Sequence, residues 1–281
     1  RVRLGAVRSQ VQVLSPRPFC TMSVSEAVAI IPAYNEERTI GPVVRAALRA
    51  DLISGLVVVD DGSRDRTASA AMSAIHEEGS TKSAMILGHV FNQGKAEAVL
   101  TGVGTAHDTF IKPGEGTVVL LDADLSPVWS RLTPENMKLT QRLLQWAGVE
   151  NDPAVLGTEE DFIIALAGRI NQLARPVLEG APMSIGMVQR NKIVDWARLA
   201  LDWGVLAGNR AVRADVLEQM LAESRDKRIS ISGWELEAAL NTFTRKRRDE
   251  HGTKLNRGIQ KFLWDDVVNV GSRAIEQDIV A

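Results

Sequence analysis

The sequence predicts an α/β fold in which helices flank a mostly parallel central sheet. From residue 28 onward, short apolar runs of strand length alternate with amphipathic helical segments. The apolar runs show no polar face, which is typical of parallel strands that are covered on both sides. Ligands of such sheets bind at the carboxyl ends of the strands, so we expect the functional residues in the loops that follow each strand.

The first half of the chain contains four predicted strands with helices between them. The first strand covers 28–31, and we expect it to end at Pro32 because proline has no amide hydrogen for the ladder. Asn35 is placed to cap the helix that follows. The other strands are predicted at 56–59, 84–87 and 117–121, and the helices at 65–78, 94–106 and a segment with Ile40, Val43, Val44, Ala47 and Leu48 at helical spacing.

The second half of the chain is predicted to be richer in helix. Helical spacing predicts helices within 133–181 and at 193–203, 214–222 and 235–246, whereas strands are predicted at 183–188 and 262–270. No linker rich in Gly, Ser or Pro separates the halves. We therefore interpret 22–126 and 127–281 as two halves of one domain.

Residues 1–21 are interpreted as a leader outside this domain. The segment is basic, has no acidic residue and shows neither a sustained helical nor a clean strand period. Met22 stands shortly before the first clear strand, which favours a native start there. We therefore predict that residues 1–21 are non-native or disordered.

The composition excludes several classes of function. With 33 basic and 35 acidic residues, the net charge of −2 gives no excess positive field, so we expect no nucleic-acid partner. A single cysteine excludes an intramolecular disulfide and a multi-cysteine zinc site, and it fits a cytoplasmic location. No apolar run approaches the roughly 18 residues of a membrane span, which restricts any membrane contact to the surface.

Two carboxylates follow the fourth predicted strand. Asp122 and Asp124 flank Ala123, and alternation along an extended segment places both on the same side. Such hard oxygen ligands can hold Mg²⁺ or Mn²⁺, and a bridged diphosphate is then a good leaving group. The alternative is that these aspartates only form a turn or cap a helix.

Two further loops contain candidate ligand contacts. After the second strand, Asp61 is placed to accept a hydrogen bond from a base or ribose, and Asp60 to brace the loop. The alternative is a simple turn in which Ser63 or Asp65 caps the next helix. After the third strand, Gly94 and Lys95 begin a helix where a backbone amide and an ammonium group can face a phosphate, unless the lysine is simply solvated.

Together, four segments at corresponding strand ends resemble the family 2 nucleotide-sugar glycosyltransferases. The segments are 32–37 (PAYNEE), 59–63 (VDDGS), 94–95 (GK) and 121–124 (LDAD), and the resemblance covers about residues 28–126. It implies a GT-A, Rossmann-like fold with a donor-binding half at 22–126 and a helix-rich acceptor half at 127–281. It also implies that Asp122 and Asp124 bind metal. The donor-binding residues that it implies are Pro32, Ala33, Tyr34, Glu36, Asp61, Gly94, Lys95, Asp122 and Ala123.

The second half resembles one branch of this family more loosely. Segments 206–213 (LAGNRAVR) and 232–237 (SGWELE) are similar to the acceptor region of soluble glucosyl-3-phosphoglycerate synthases, whereas dolichyl- and polyprenyl-phosphate sugar synthases share mainly the first half. The resemblance implies that Glu237 orients or deprotonates the acceptor hydroxyl, with Glu235 in reserve. The alternative is a core stripe in which both glutamates merely favour the helix N-terminus.

The C-terminal region departs from that branch. Segment 268–274 (VNVGSRA) is followed by Ile275, where the resembling enzymes have a histidine that completes the metal site. We expect a metal site that is looser or is completed by water. His76, His89, His107 and His251 are all interpreted as surface residues.

The sequence thus predicts a metal-dependent glycosyltransferase with Mg²⁺ or Mn²⁺ at Asp122 and Asp124. Glu237, Asp124 and Lys95 are the expected catalytic residues, the donor is a UDP- or GDP-sugar, and the acceptor is a small, optionally phosphorylated, hydroxyl compound. Two alternatives stay open: a polyprenyl-phosphate enzyme that uses the basic run 245–248 at a membrane surface, and a nucleotide-sugar binder without turnover. A homodimer is compatible with the prediction and with both alternatives.

Overall fold

An eight-stranded sheet forms the centre of the computed structural model, in the order β1-β4-β3-β2-β5-β8-β7-β9. The structure describes residues 10–14, 27–112, 114–127, 158–188, 208–226, 235–247, 258–264 and 267–269. The strands are β1 (Gln10–Leu14), β2 (Ala27–Ala33), β3 (Ile53–Asp60), β4 (Ser83–Gly88), β5 (Thr117–Leu120), β6 (Leu125–Pro127), β7 (Met183–Val188), β8 (Arg210–Arg213), β9 (Gln260–Trp264) and β10 (Val267–Asn269). The helices are α1 (Ile40–Arg49), α2 (Thr67–Glu78), α3 (Lys95–Thr109), α4 (Glu159–Leu178), α5 (Ala214–Asp226) and α6 (Glu235–Lys246).

The central sheet is mostly parallel, which confirms the predicted fold class. Strands β2, β3, β4 and β5 are parallel neighbours, and β7 pairs in parallel with β9. Strand β8 runs antiparallel to both β5 and β7, and β1 runs antiparallel to β4. Two short strands, β6 and β10, pair separately. The four parallel strands therefore place their carboxyl ends, and the loops that follow them, along one edge.

Both faces of the sheet are buried, as the apolar strands predict. In β2, Ala27, Ala29 and Ile31 pack into a core with α1, α2 and α4. The alternate residues Val28 and Ile30 pack into a second core with α3, α5 and α6. This alternation follows from the two-residue period of a strand. Within the described residues, no helix has the length and apolarity that a bilayer-spanning segment needs.

Strand β2 continues through Pro32 to Ala33, beyond the predicted end. The Ala33 carbonyl accepts from the Asp61 amide on the β3 side, whereas the Ile30 carbonyl accepts from the Leu121 amide on the β5 side. Since successive residues of a parallel strand bond to opposite neighbours, the missing amide hydrogen of Pro32 faces β5. The pairing with β5 has already ended at Ile30, so proline costs the ladder nothing there.

The expectation that Asn35 caps α1 is wrong. Helix α1 begins later, with Thr39 at the capping position and no side-chain capping bond. Asn35 instead lies in the preceding loop with φ of 56°, in the left-handed region that asparagine tolerates better than most residues. The loop between β2 and α1 is thus longer than the helical pattern suggested.

Three strands were not predicted, and one of them is the short β6 after β5. Strand β8 lies in the 206–213 segment, whose mixed residues show no apolar run. Strand β1 lies inside the leader, so the expectation of no regular structure is wrong for residues 10–14, while the interpretation of 1–21 as a leader stays a prediction. The strand predicted at 262–270 corresponds to β9 and β10. The predicted helix at 193–203 and the part of 133–181 before 158 lie outside the described residues.

The contact between α3 and β2 gives a test of this packing. A Cβ on Gly102 would lie 2.5 Å from Cγ2 of the buried Ile30, whereas a Cβ on Gly104 of the same helix would meet nothing within 4 Å. We expect Gly102→Ala to lower the free energy of unfolding by about 1–3 kcal/mol through overpacking. Gly104→Ala should raise it by about 0.5–1 kcal/mol through helix propensity. Urea unfolding of both variants measures the difference, and equal stabilisation by both would contradict the close packing of α3 on β2.

Candidate active site

A cavity of about 350 Å³ lies at the carboxyl ends of β2, β3 and β5 and the start of α3. Its lining includes every site residue predicted from the sequence except Gly94 and Glu237. The lining residues are Pro32, Ala33, Tyr34, Glu36, Asp61, Asn92, Lys95, Ala98, Asp122, Ala123 and Asp124. The fold thus brings four separate loops together around one space.

The loops after β2 and β3 are joined by side-chain hydrogen bonds to the backbone. The Asn35 amide donates to Ser63 Oγ at 2.9 Å, and the Glu36 amide donates to Thr67 Oγ1 at 2.7 Å. In return, the Arg64 amide donates to Asn35 Oδ1 at 2.9 Å. Ser63 therefore does not cap α2 but accepts from the neighbouring loop. Asp65, the other residue of the simple-turn alternative, does accept from the amide of Thr67, the first residue of α2, at 3.0 Å. These bonds fix the wall of the cavity that Tyr34 and Glu36 form.

Asp60 and Asp61 serve different purposes after β3. Asp60 Oδ1 accepts from the Ser63 amide at 2.9 Å, which agrees with the expected bracing of the loop. Asp61 is buried, and its carboxylate accepts from the amides of Gln93 at 2.9 Å and Gly94 at 2.7 Å. Its first structural role is therefore to hold the turn before α3, and binding of a nucleoside stays a prediction for this residue.

His89 is buried, so the expectation that it is a surface residue is wrong. Its side chain is 2% exposed, with Nδ1 2.6 Å from Asp61 Oδ1 and Nε2 3.0 Å from Thr101 Oγ1. The residue stands directly after β4, where no helical or strand period indicates burial. The His107 side chain on α3 is only 15% exposed, with Nε2 3.1 Å from Glu218 Oε1, so it is not a surface residue either. In contrast, His76 is exposed on α2, as expected, and His251 lies outside the described residues.

Lys95 links the two halves of the chain. It is the first residue of α3, and its Nζ lies 2.7 Å from Asp122 Oδ1 and 3.1 Å from Glu237 Oε1. Burial of the ammonium group acts to lower the pKa of Lys95, but the two carboxylates outweigh burial and the net pKa is raised. The lysine therefore keeps its proton, and the alternative of a freely solvated side chain is wrong.

Glu237 lies on α6 with only 2% of its side chain exposed. Its Oε1 faces Lys95, whereas Oε2 is buried without a hydrogen-bond partner among the described residues. The core stripe of the alternative interpretation is also present, since Leu236, Leu240 and Phe243 are buried on the same helix. The buried apolar residues thus pack α6 against the core, and the Glu237 carboxylate contacts Lys95 of the first half. The side chain of Glu235, the reserve candidate, lies outside the described residues.

Asn209 forms hydrogen bonds to Asp122, and Gly208 lies close beside its carboxylate. Asn209 Oδ1 accepts from the Asp122 amide at 2.9 Å, and its Nδ2 donates to Asp122 Oδ2 at 3.3 Å. A Cβ on Gly208 would lie 2.0 Å from Asp122 Oδ1, so only glycine leaves room for this carboxylate. Sequence reasoning assigned no role to either residue, although both belong to the quoted 206–213 segment. Their approach to Asp122 depends on the antiparallel pairing of β8 with β5.

Arg210 adds a second buried cation to the site. Its side chain is fully buried, and Nη1 donates to Asn241 Oδ1 at 2.9 Å. Burial lowers the pKa of Arg210 to about 10, although the charges of Glu237 and Asp122 oppose this effect. The guanidinium group therefore stays charged at neutral pH, and it contributes to the electrostatic balance of the two carboxylates.

The predicted metal ligands Asp122 and Asp124 lie at the cavity, without a third His, Cys, Asp or Glu ligand among the described residues. Asp122 and Asp124 both line it on either side of the buried Ala123. In the part of the chain that the structure describes, no three side chains of His, Cys, Asp or Glu meet to form a metal site. Ile275, where a histidine ligand was sought, lies outside that part. The protein thus supplies two hard carboxylate donors here, which fit a divalent cation that keeps other ligands from water or substrate.

Residues 28–134 match the model of glycosyl transferase family 2. This similarity covers residues 28–134, which we call the family 2 module. Undecaprenyl-phosphate 4-deoxy-4-formamido-L-arabinose transferase of Pseudomonas aeruginosa is 36% identical over 116 residues, which cover 40% of this chain and 30% of that protein. An uncharacterised protein of Methanocaldococcus jannaschii is 33% identical over 99 residues, or 35% of each chain. The matches therefore span about a third of the length of these relatives.

Solved structures extend the likeness beyond this module. Glucosyl-3-phosphoglycerate synthase of Mycobacterium tuberculosis with phosphoglyceric acid has a TM-score of 0.52 and 18% identity, covering 90% of this chain and 75% of that chain. The same enzyme with Mn²⁺ and UDP-glucose gives a TM-score of 0.52, 17% identity and coverage of 90% and 74%. At this identity the likeness shows the fold. It confirms the predicted GT-A, Rossmann-like class, and the module confirms the resemblance to family 2 glycosyltransferases.

The bridge formed by Lys95 can be tested through stability. We expect Lys95→Met to lower the free energy of unfolding by about 2–4 kcal/mol, because Asp122 and Glu237 would lose their cation in a buried setting. The double variant with both Lys95→Met and Glu237→Gln should lose much less free energy of unfolding than the two single variants lose in sum. Urea unfolding at neutral pH measures this double-mutant cycle, with Lys112→Met on an exposed lysine as the control. Strict additivity would contradict the bridge.

Proposed function

We propose that this protein transfers a sugar from a nucleoside diphosphate to a hydroxyl acceptor with the help of a divalent cation. The observation that carries the proposal is the bridge of Lys95 to Asp122 and Glu237, because it joins the family 2 module to a buried carboxylate of the second half. A cation and a carboxylate side by side suit a reaction in which a diphosphate leaves and a hydroxyl loses its proton.

The donor occupies the cavity in this proposal. Ala33, Tyr34, Glu36 and Asp61 line the end that would hold the nucleoside, and Pro32 and Ala123 lie beside them. The solved relative was crystallised with UDP-glucose, which supports a UDP-sugar, while a GDP-sugar is the other donor expected from the sequence. Gly94 has φ of 95° and places Lys95 at the start of α3, where its charge can stabilise the diphosphate.

Asp122 and Asp124 would hold Mg²⁺ or Mn²⁺, and the solved relative with Mn²⁺ supports a divalent cation. When bound, such a cation stabilises the negative charge that develops on a departing diphosphate. The contacts of Asn209 with Asp122 keep this carboxylate in place before any ligand arrives. The remaining ligands would come from water and from the diphosphate itself.

Glu237 is the proposed base for the acceptor hydroxyl. Its buried Oε2 lacks a hydrogen-bond partner in the described ranges, and it can accept one from an incoming hydroxyl. In the proposed reaction, the hydroxyl proton passes to Glu237 and the acceptor oxygen forms the new bond to the anomeric carbon. The bond from that carbon to the diphosphate breaks, and its electron pair leaves with the diphosphate, next to Lys95.

The decisive experiment offers the protein a panel of nucleotide sugars with Mn²⁺ or Mg²⁺ and small hydroxyl acceptors. We expect metal-dependent release of nucleoside diphosphate, and Asp124→Ala should weaken metal-dependent donor binding by at least about tenfold, since the loss of one charged ligand contact costs roughly 1.5–3 kcal/mol. Asp108→Ala, on an exposed aspartate of α3, is the matched control. Calorimetric binding that Asp124→Ala leaves intact would contradict the metal site. Binding without hydrolysis or transfer would favour a binder that lacks turnover.

A second candidate acceptor is a polyprenyl phosphate at a membrane surface. The relative of 36% identity is named for an undecaprenyl-phosphate substrate, and α6 ends in the exposed residues Arg245 and Lys246. Arg247 next to them pairs with Glu223 and lies over the ring of Phe243, so its charge is partly neutralised within the protein. Arg248 lies outside the described residues.

Co-sedimentation with anionic liposomes tests this candidate. If it is correct, the protein should bind the vesicles, and changing both Arg245 and Lys246 to Gln should weaken binding by roughly thirtyfold, at about 1 kcal/mol for each basic residue near the surface. The matched control neutralises Lys112 and Arg175, which are exposed elsewhere. Equal losses in both variants, or no binding by the unaltered protein, would speak for a small acceptor in solution. A cytoplasmic location and a homodimer stay predictions.

A further inference from the structure

A buried histidine outside the predicted site is connected to it by an unbroken chain of hydrogen bonds. His89 Nδ1 lies 2.6 Å from Asp61 Oδ1, and the Asp61 carboxylate accepts from the amides of Gln93 and Gly94. Gly94 immediately precedes Lys95 at the start of α3. The Gly94 amide is therefore two hydrogen bonds from the imidazole, and the next residue carries the ammonium group that faces Asp122 and Glu237, although His89 does not line the cavity.

The other nitrogen of His89 fixes the ring itself. Nε2 lies 3.0 Å from Thr101 Oγ1, in the second turn of α3. With the imidazole proton on Nδ1, the ring donates to Asp61 and accepts from the Thr101 hydroxyl, so both nitrogens are satisfied. The His89 amide also donates to the Asp60 carbonyl at 2.8 Å. One residue thus ties the ends of β3 and β4 to the helix that begins with Lys95.

Without this ring, the buried carboxylate of Asp61 would be held by two backbone amides alone. A buried carboxylate needs its full set of donors, and removing one of them allows the carboxylate to move. Such a movement would loosen the bonds to Gln93 and Gly94. Gly94 has a φ of 95°, one of many conformations open to glycine, so the bonds from Asp61 to the amides of Gln93 and Gly94 restrict this turn.

We propose that His89 is a positioning residue for the donor diphosphate. It orients Asp61, which holds the turn at Gln93 and Gly94 and thereby places Lys95. This inference rests on the proposed function, since the placement of Lys95 matters most if a diphosphate binds beside it. His89 does not touch the reacting atoms, and its effect should appear in the use of the donor rather than in the use of the acceptor.

Two substitutions of His89, which place a side-chain amide nitrogen at different distances from the backbone, test the proposal. The side-chain amide nitrogen of His89→Asn can take the place of Nδ1, whereas that of His89→Gln reaches toward the position of Nε2. We expect His89→Gln to lower kcat/KM for the nucleotide sugar about tenfold or more, since a hydrogen bond to a charged group is worth that factor or more. KM for the acceptor should stay unchanged, and His89→Asn should restore most of the loss. Thr101→Val, which frees the ring without removing it, should give a smaller defect of the same kind.

Amide hydrogen exchange in the ligand-free protein gives a readout that does not depend on turnover. We expect exchange at Gln93 and Gly94 to rise about tenfold in His89→Gln and to stay near the unaltered rate in His89→Asn. His76→Gln on the surface of α2 is the matched control. Unchanged exchange at these amides, or equal defects in both His89 variants, would overturn the proposal. If the unaltered protein transfers no sugar, the proposed function fails, while the exchange rates still decide whether His89 holds the turn.

Discussion

The bridge from Lys95 to Asp122 and Glu237 is the interaction on which the rest of the site depends. Two carboxylates with little exposure, 14% and 2%, contact one ammonium group, and this attraction offsets the cost of burying both of them. The cation must come from the start of α3, one carboxylate from the end of β5 and the other from α6. The site therefore forms only when the sheet, α3 and α6 pack so that these three side chains come into contact.

The loops of the site are held by side chains that accept hydrogen bonds from backbone amides. Ser63, Thr67 and Asp61 each accept from an amide of another loop, so donors that a sheet or helix would normally satisfy find partners across the cavity. Such bonds are directional, and they fix a loop without filling the space beside it. This arrangement explains how a cavity can be both open to a ligand and rigid at its walls.

The sequence predicted the parts of this structure that depend on local pattern. The strand at 183–188 and the helix at 235–246 have the predicted bounds, and Asp122, Asp124 and Lys95 stand directly after apolar strands or at a helix start. The contacts of Asn209 and Gly208 with Asp122 could not be predicted, because they need β8 to insert antiparallel between β5 and β7. The burial of His89 likewise involves a partner distant in sequence, Thr101 of α3. Periodicity describes one element at a time and does not contain such long-range pairings.

The charges of the site explain why a divalent cation belongs to the proposal. Lys95 and Arg210 balance Asp122 and Glu237, since the pKa of the lysine is raised and that of the arginine, at about 10, still lies above neutrality. Asp124 adds a further carboxylate to the cavity lining, beside Glu36 and Asp61. A diphosphate that enters would meet these carboxylates, and Lys95 would share its charge between the diphosphate and its two carboxylate partners. A divalent ion at Asp122 and Asp124 would reduce this repulsion, which is the reason that the proposal includes a metal.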